Sequence, residues 1–427
     1  MIDIKLIRSD PEKIKAGARK RNYDADAIVD GILKLDAGRR EATAQVEAMR
    51  AEQNAAGKKI PQIRKAGGDA TELMARMKAL AGGIKEKQAA LDELEKRQNE
   101  LLLSLPNMPD DDVPAGGKEN NQPLRYFGEK PKFEGFEPKD HVKLCESLKL
   151  IDYVRGAKLA GAGSWVYRGM GARLEWALLN FFIDEHLRDG YELVLPPHML
   201  NWECGYVAGQ FPKFADEVYW IGNPTGTEKR FLLPTAETAL VNLHRGEILS
   251  ADELPKKYIA YTPCYRREAG SYRSEERGMV RGHQFNKVEM VQYTKPEDSD
   301  RAFDELVGKA ERLVQELGLH YRLSRLAAGD CSFSMARTYD IEVWIPSMGI
   351  YKEVSSASNA REYQARRGNV RYRAGDGKPR FVHTLNASGL ATSRVFPAIV
   401  EQYQNADGSV TVPEVLRKYV GTDVLKP

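Results

Sequence analysis

Thr262-Pro263-Cys264-Tyr265-Arg266-Arg267-Glu268-Ala269-Gly270-Ser271-Tyr272-Arg273, continued by His283-Gln284-Phe285-Asn286-Lys287-Val288-Glu289-Met290, is the stretch on which the fold turns. A strand enters, a charged loop containing glycine turns, and a strand returns. Working outward, Tyr191–Leu195, Tyr258–Tyr261, Phe285–Tyr293 and Tyr339–Ile345 read as further β-rich segments, and Arg173–Leu187 reads as a helix. Short turns, rather than regular crossover helices, join several of these strands. The pattern predicts an α+β domain built on an antiparallel sheet. Neither GxxxxGK[ST] nor a GxGxxG following a strand occurs, so any nucleotide is held in neither of the two commonest ways.

The hairpin is also the densest chemical stretch. Arg266, Arg267, Arg273, Arg277 and Arg281 crowd one loop and its flanks, with Glu268 and Glu289 expected on the strands. An arginine on a strand sits badly in a core and asks for an anionic partner. That partner is either Glu268, in an ordinary surface ion pair, or a phosphate gripped by the planar guanidinium fork. A second constellation runs from Asn386 to Glu401, where a Ser388-Gly389 turn opens an apolar helix with Arg394 in its first turns. That arginine is either a solvated helix residue or one that meets a triphosphate or stacks on a base.

The amino-terminal part differs in kind. From Ile28 to Ile63, and again from Leu73 to Leu105, apolar positions recur at alternating gaps of four and three, the seam of a supercoiled helix pair. Gly67 and Gly68 end the first helix, Asp69 caps the second, and Pro61 is expected to kink or end the first helix near its tip. Such an antiparallel hairpin serves either as a structural or dimerising coil or as an RNA-binding arm. Residues 53–68 carry Lys58, Lys59, Arg64 and Lys65 and no acid, which suits phosphate contact. From Leu105 to Pro123, prolines, glycines and Asp110–Asp112 break the pattern and read as a linker. The expected domains are therefore 1–105, with the arm at about 27–104, a linker at 106–123, and 124–427.

Bulk composition narrows the partners. A chain of 427 residues is long for a single core. Its 64 Lys+Arg against 61 Asp+Glu leave a net charge of +3, so any nucleic-acid contact must be local rather than a general coating. No apolar run is long enough to span a membrane, and the first residues lack a secretory pattern. Cys145, Cys204, Cys264 and Cys331 lie far apart without a CxxC pair, as expected of reduced thiols in a cytosolic protein with no zinc site.

These two stretches resemble motifs 2 and 3 of class II aminoacyl-tRNA synthetases, and their details are similar to the seryl-tRNA synthetase family. Pro234-Thr235-Ala236-Glu237, Glu353-Val354-Ser355-Ser356-Ala357-Ser358-Asn359, Tyr363-Gln364-Ala365-Arg366-Arg367 and Val412-Pro413-Glu414-Val415-Leu416 resemble the same family in the same order. Gly171 to Pro197 resembles motif 1, the family's dimer interface, and the hairpin resembles its tRNA arm. The resemblance covers essentially the whole chain and implies a cytoplasmic homodimer that joins L-serine to tRNA(Ser) at the expense of ATP. In organisms that have it, tRNA(Sec) is also charged; neither DNA nor a membrane is implied as a partner.

Residue by residue, the resemblance implies that Arg266 holds the α-phosphate of ATP and the serine carboxylate. Glu268 reads the adenine or ribose side. Phe285 and Arg394 sandwich adenine, with Arg394 reaching the γ-phosphate. Arg267, Gly282, Val354 and Ser355 also fall in the ATP-binding segments. Glu353 and Ser356 ligate Mg2+, a hard cation suited to oxygen donors. Thr235, Ala236, Glu237, Arg266, Glu289 and Ser388 surround serine, and Lys58, Lys59, Arg64 and Lys65 meet tRNA. Arg266, Glu268 and Arg394 carry the catalysis. The zinc-free branch is implied by Thr235-Ala236-Glu237. Two alternatives are a related ligase that loads a carrier protein, whose kind lacks the arm, and an inactive synthetase-like RNA-binding protein, which would have lost Arg266, Glu268 or Arg394. The chain departs from the family's usual wording at Ala387 (usually glycine), Arg267 (commonly serine), Glu275-Glu276 and Gly282 (usually larger and apolar), the last expected to loosen the adenine pocket slightly.

Overall fold

The computed structural model describes residues 1–222, 229–268 and 278–426. They divide into two compact units, one of Ile2–Arg19 and Tyr23–Pro106, the other of Met1, Lys20–Asn22 and Asn107–Pro427.

In the amino-terminal unit, α1 (Asp26–Lys65) and α2 (Thr71–Ser104) form the hairpin that the apolar spacing predicts. Gly31 faces Leu101, Gly38 faces Leu94, Met49 faces Gly83 and Gly57 faces Met77, so one helix ascends as the other descends. At about 1.5 Å per residue, forty residues make α1 roughly 60 Å long. Pro61, expected to kink or end the helix near its tip, lies inside it, and the helix ends shortly afterwards at Lys65. The chain stays helical for another turn, where Ala66 N donates to Gln62 O and Gly68 N to Ile63 O. Proline deletes one donor and leaves the rest of the ladder to form. Beyond Lys65 the chain turns at Gly67, whose φ of +74° suits glycine. Asp69 takes Thr71 N at 2.9 Å and Thr71 Oγ1 at 2.6 Å at the start of α2. Near the other end, the fully buried Asp36 side chain is ringed by Arg8 (3.2 Å), Arg39 (3.2 Å) and Arg40 (3.1 Å), and Gln98 on α2 donates to it at 3.4 Å.

The larger unit is built on eight strands: β1 (Gln122–Phe127), β2 (Glu192–Leu193), β3 (Lys256–Tyr265), β4 (Gln284–Thr294), β5 (Tyr321–Arg325), β6 (Arg337–Ile345), β7 (Ile350–Arg361) and β8 (His383–Ala391). Their order is β1-β5-β6-β7-β8-β4-β3-β2, and only the short edge pair β3–β2 is parallel. Helices α3 (Gly169–Arg188), α5 (Ser299–Glu316) and α6 (Thr392–Gln402) belong to the main core, and α4 (Glu237–Leu240) to a smaller one. Strand alternation puts Val288, Met290, Leu385, Ile341 and Val343 in the core that the three long helices complete. On the opposite face of β4, Val291 and Tyr293 are covered by the smaller cluster around Leu240 and Val370. Further along that face, Phe285, Lys287 and Glu289 remain to line a site.

The stretch that reads as a linker is bound down to this unit. Asn107 is buried and donates to Ser334 O and Ala360 O at 2.9 and 2.8 Å; Asp110 pairs with Arg337 at 3.1 Å and with Arg361; Val113 packs with Leu326 and Cys331. Its polar residues satisfy backbone and arginine groups that would otherwise be stranded.

Burial opposes ionisation of Asp36, but Arg39, Gln98 and Arg8 hold its carboxyl below the ordinary carboxylate range. The resulting stability is present above about pH 4 and lost as pH falls through the depressed value. Asp36→Ala should therefore cost about 2 kcal/mol in the hairpin unit. In hydrogen exchange, amides around Ile32 and Leu102 should exchange faster while those of β4 and β7 keep wild-type protection.

Candidate active site

The β3–β4 hairpin places the first group. β3 ends at Tyr265, and Arg266 N still bonds His283 O across the hairpin at 3.0 Å. Glu268 therefore stands beyond the strand, in a left-handed conformation (φ +51°), rather than on it as expected. The Arg266 guanidinium lies 5.2 Å from the Phe285 ring centre, with Nε 3.3 Å from Pro234 O. Glu268 Oε2 accepts Arg281 Nη1 at 2.8 Å. Arg267 points away and donates to Asp216 O at 2.9 Å; it lines neither cavity at the site. Arg273, Arg277, Glu275 and Glu276 lie outside the described residues.

From the other side, Arg394 in the first turn of α6 donates to Glu353 O at 2.8 Å and lies 3.4 Å from Glu353 Oε2. One cleft is lined by Arg266, Glu268, Phe285, Glu353, Ser388 and Arg394. Burial alone would raise the Glu353 carboxyl, but Arg394, Arg266 and Lys287 prevail and hold it below its ordinary value. Asp340 shows the reverse: burial and the Glu353 charge raise it well above the carboxylate range, and its Oδ1 is buried without a hydrogen-bond partner.

A β-bulge creates this acidic face. Residues three apart on a regular strand point to opposite sides. Here Glu353 opposes Glu342 while Ser355 opposes Ile341, so Val354 is the extra residue. The slip brings Glu353 and Ser356 to the side of Glu342 and Asp340. Val354 itself is buried in the core, and Ser355 Oγ donates to Ser388 O at 2.6 Å, fastening β7 to β8.

A second cavity of about 280 Å³ adjoins the first and shares Arg266 and Glu268 with it; Thr235 and Glu237 line it too. Ala236 is buried as the residue that starts α4. Glu237 is buried and accepts Gln364 Nε2 at 2.8 Å, and its carboxyl is pushed up to about 7 by burial first and by the charge of Glu289 second. Glu289, opposite Ser388 in the ladder, accepts Asn386 Nδ2 at 3.0 Å. Lys287 Nζ sits between the groups, 2.7 Å from Thr235 Oγ1 and 2.5 Å from Glu289 Oε2. No role was assigned from sequence to Lys287, Gln364, Asn386 or Asp340. The alternation Phe285, Lys287, Glu289 along one strand was the available signal for the lysine.

Gly282 does not loosen the pocket. A Cβ there would stand 2.2 Å from Trp165 Cζ3, so the indole fills the space that a larger residue would take. Ala387 is buried in the core.

An antiparallel sheet that turns two arginines, an aromatic ring and a carboxylate into one cleft is the core of a class II aminoacyl-tRNA synthetase. Residues 219–403 match the tRNA synthetase class II core domain (G, H, P, S and T), and residues 1–109 match the seryl-tRNA synthetase N-terminal domain. Serine--tRNA ligase 2 of Clostridium acetobutylicum is 61% identical over the full length of both chains. A crystal structure of seryl-tRNA synthetase from Pyrococcus horikoshii complexed with ATP superposes with a TM-score of 0.92 at 36% identity, covering all of both chains. The cytoplasmic serine-tRNA ligase of Naegleria fowleri in complex with AMP gives a TM-score of 0.88 at 29% identity, covering 100% of this chain and 99% of that one. The chain belongs to the seryl-tRNA synthetase family.

Because the folded-state value of Glu237 is raised, its contribution to stability is complete below about pH 4.5 and lost as pH rises through about 7. Between pH 5 and 8 the wild type should lose up to about 3 kcal/mol of unfolding free energy relative to Glu237→Gln, as measured by urea denaturation without substrates.

Proposed function

We propose that L-serine and ATP meet across these adjoining cavities, with Arg266, Glu268, Phe285, Glu353 and Arg394 holding the nucleotide and Thr235, Glu237, Glu289 and Ser388 the amino acid. The protein is an ATP-dependent serine--tRNA ligase, which activates serine to seryl-adenylate and then charges tRNA(Ser). The observation that carries the site assignment is that Arg266, Glu353 and Arg394, far apart in sequence, line one cleft.

The chemistry needs alignment and charge rather than a strong base. A serine carboxylate oxygen bonds to the α-phosphorus, the bond to the bridging oxygen breaks, and pyrophosphate leaves. A terminal ribose hydroxyl of the tRNA then attacks the acyl carbon and AMP departs. Arg266, at the junction of the two cavities, is placed to neutralise charge on both the carboxylate and the α-phosphate. The Phe285 ring offers a face for adenine, with Arg394 opposite. Buried groups that bond the serine hydroxyl would be left unpaired by alanine, which gives strong discrimination at a single site.

Glu353, Ser356 and the orphaned oxygen of Asp340 are oxygen donors that fit a hard cation, so these residues would hold Mg2+. It would supply charge neutralisation at the phosphates. Trp176, Leu187 and Leu195 are exposed within the segment resembling motif 1, which supports a homodimer. Residues 1–105 would serve tRNA binding, 106–123 as the connection and 124–427 catalysis. In the arm, Lys58, Lys59, Arg64 and Lys65 are exposed, which favours RNA contact; tRNA(Sec) would be charged where it occurs. No helix among the described residues is long and apolar enough to cross a membrane, and we assign the protein to the cytoplasm. The carrier-protein ligase is disfavoured by the arm, and the inactive homologue by the joint placement of Arg266, Glu268 and Arg394.

Serine-dependent exchange of labelled pyrophosphate into ATP, followed by charging of total tRNA with serine, threonine and alanine, tests the assignment; charging with serine alone is expected. Arg266→Ala should retain the fold and lose at least about 10³-fold in exchange rate; wild-type exchange would remove Arg266 from the mechanism. Deleting Gln53–Asp69 and rejoining the helices should spare exchange but cripple charging, and unchanged charging at physiological salt would detach the arm tip from tRNA.

A further inference from the structure

Two of the residues assigned to serine already hold a cation of the protein's own. Lys287 is 6% exposed, and its ammonium bonds Thr235 and Glu289, two groups that the proposed function gives to the substrate. The arrangement has a simple electrostatic cause. Glu289 and Glu237 are both buried, and a buried carboxylate without a cation is costly. In the substrate-free protein Lys287 meets that need. An incoming serine brings a second ammonium, and two like charges cannot share a seat beside one carboxylate.

The strand says where the displaced group goes. Phe285, Lys287 and Glu289 alternate on one face of β4, each about 6.8 Å from the next. Phe285 is the face assigned to adenine, and Glu289 belongs to the amino-acid pocket. Lys287 itself lines the nucleotide cleft together with Arg266, Glu353 and Arg394. Lys287 therefore roots midway between base and amino acid, at the level where the α-phosphate must lie for the carboxylate to reach it. A flexible stem with three rotatable donors can exchange one oxygen partner for another, which a rigid guanidinium fork does less readily.

We propose that Lys287 is exchanged by substrate: it holds the ammonium seat of the empty amino-acid pocket, and serine displaces it onto the α-phosphate of ATP, so that the two substrates reinforce one another's binding. This rests on the site assignment given under the proposed function, and it adds a ligand and a coupling which that assignment does not require.

The test separates the two. Serinamide carries the ammonium and hydroxyl of serine but has no carboxylate to react. By calorimetry on the wild-type protein, saturating serinamide should tighten ATP binding at least about tenfold, whereas 3-hydroxypropanoate, which lacks the ammonium, should not. In Lys287→Met, with folding checked by thermal denaturation, serinamide should bind at least as tightly as to wild type and the coupling to ATP should vanish. A merely structural lysine would instead weaken both ligands and leave their coupling intact. ATP affinity indifferent to serinamide in the wild type, or coupling that survives in Lys287→Met, overturns the proposal. The wild-type arm needs no variant to fold. Absent serine-dependent exchange would instead overturn the site assignment itself.

Discussion

Carboxylates crowded into one region of a fold have to find positive charge, and the cleft of the larger unit is arranged around that requirement. Glu289 raises Glu237 and Glu353 raises Asp340, while Lys287, Arg266 and Arg394 are the cations that answer Glu237, Glu289 and Glu353. The balance is incomplete. Glu237 is pushed up to about 7, Asp340 is raised well above the ordinary carboxylate range, and one oxygen of Asp340 has no hydrogen-bond partner among the described residues. Residual imbalance of this kind marks a place where charged ligands can complete the neutralisation.

The scaffold that holds these charges is rigid for a different reason. The back of the sheet is packed with Val288, Met290, Leu385, Ile341 and Val343 against helices bearing Phe181, Phe303 and Phe396. With that face fixed, alternation dictates where the front-face residues stand. Two irregularities then adjust it: Val354 adds a residue in β7, and β8 slips between Ser388 and Ala391. At the second slip, Gly389 passes so close to His186 that a Cβ would lie 2.3 Å from the ring nitrogen Nε2. Bulges beside functional residues redirect side chains without changing the sheet.

The hairpin obeys another balance. Two long helices with one apolar stripe each can bury little except each other. Charge along the shafts is mixed, as in the Arg76–Glu52 pair, and Asp36 gathers three arginines into one place. At the far end Lys58, Lys59, Arg64 and Lys65 are exposed, and none of them pairs with an acid among the described residues. Exposed cations gathered at the tip of a long helical hairpin suit a polyanion.

The seam, the hairpin boundaries, the strand–loop–strand element, the antiparallel character of the sheet and the family were all legible in the order of residues. Each is a local property: a period of 3.5 or 2, or a motif a few residues long. What lay beyond reach depended on partners distant in the chain. The bulge at Val354 exists only relative to β6; Trp165, more than a hundred residues away, fills the space beside Gly282; and the Asp- and Pro-rich segment after Leu105 is held down by Arg337 and Arg361. Pro61 read as a kink or an end near the tip, and the helix runs one more turn past it, because one lost hydrogen bond does not outweigh a long ladder that is otherwise intact. Lys287 stood in plain view between Phe285 and Glu289. Yet only the folded chain, by bringing Thr235 to its ammonium and closing water away from Glu289, turned an ordinary strand lysine into the counter-charge of a buried carboxylate.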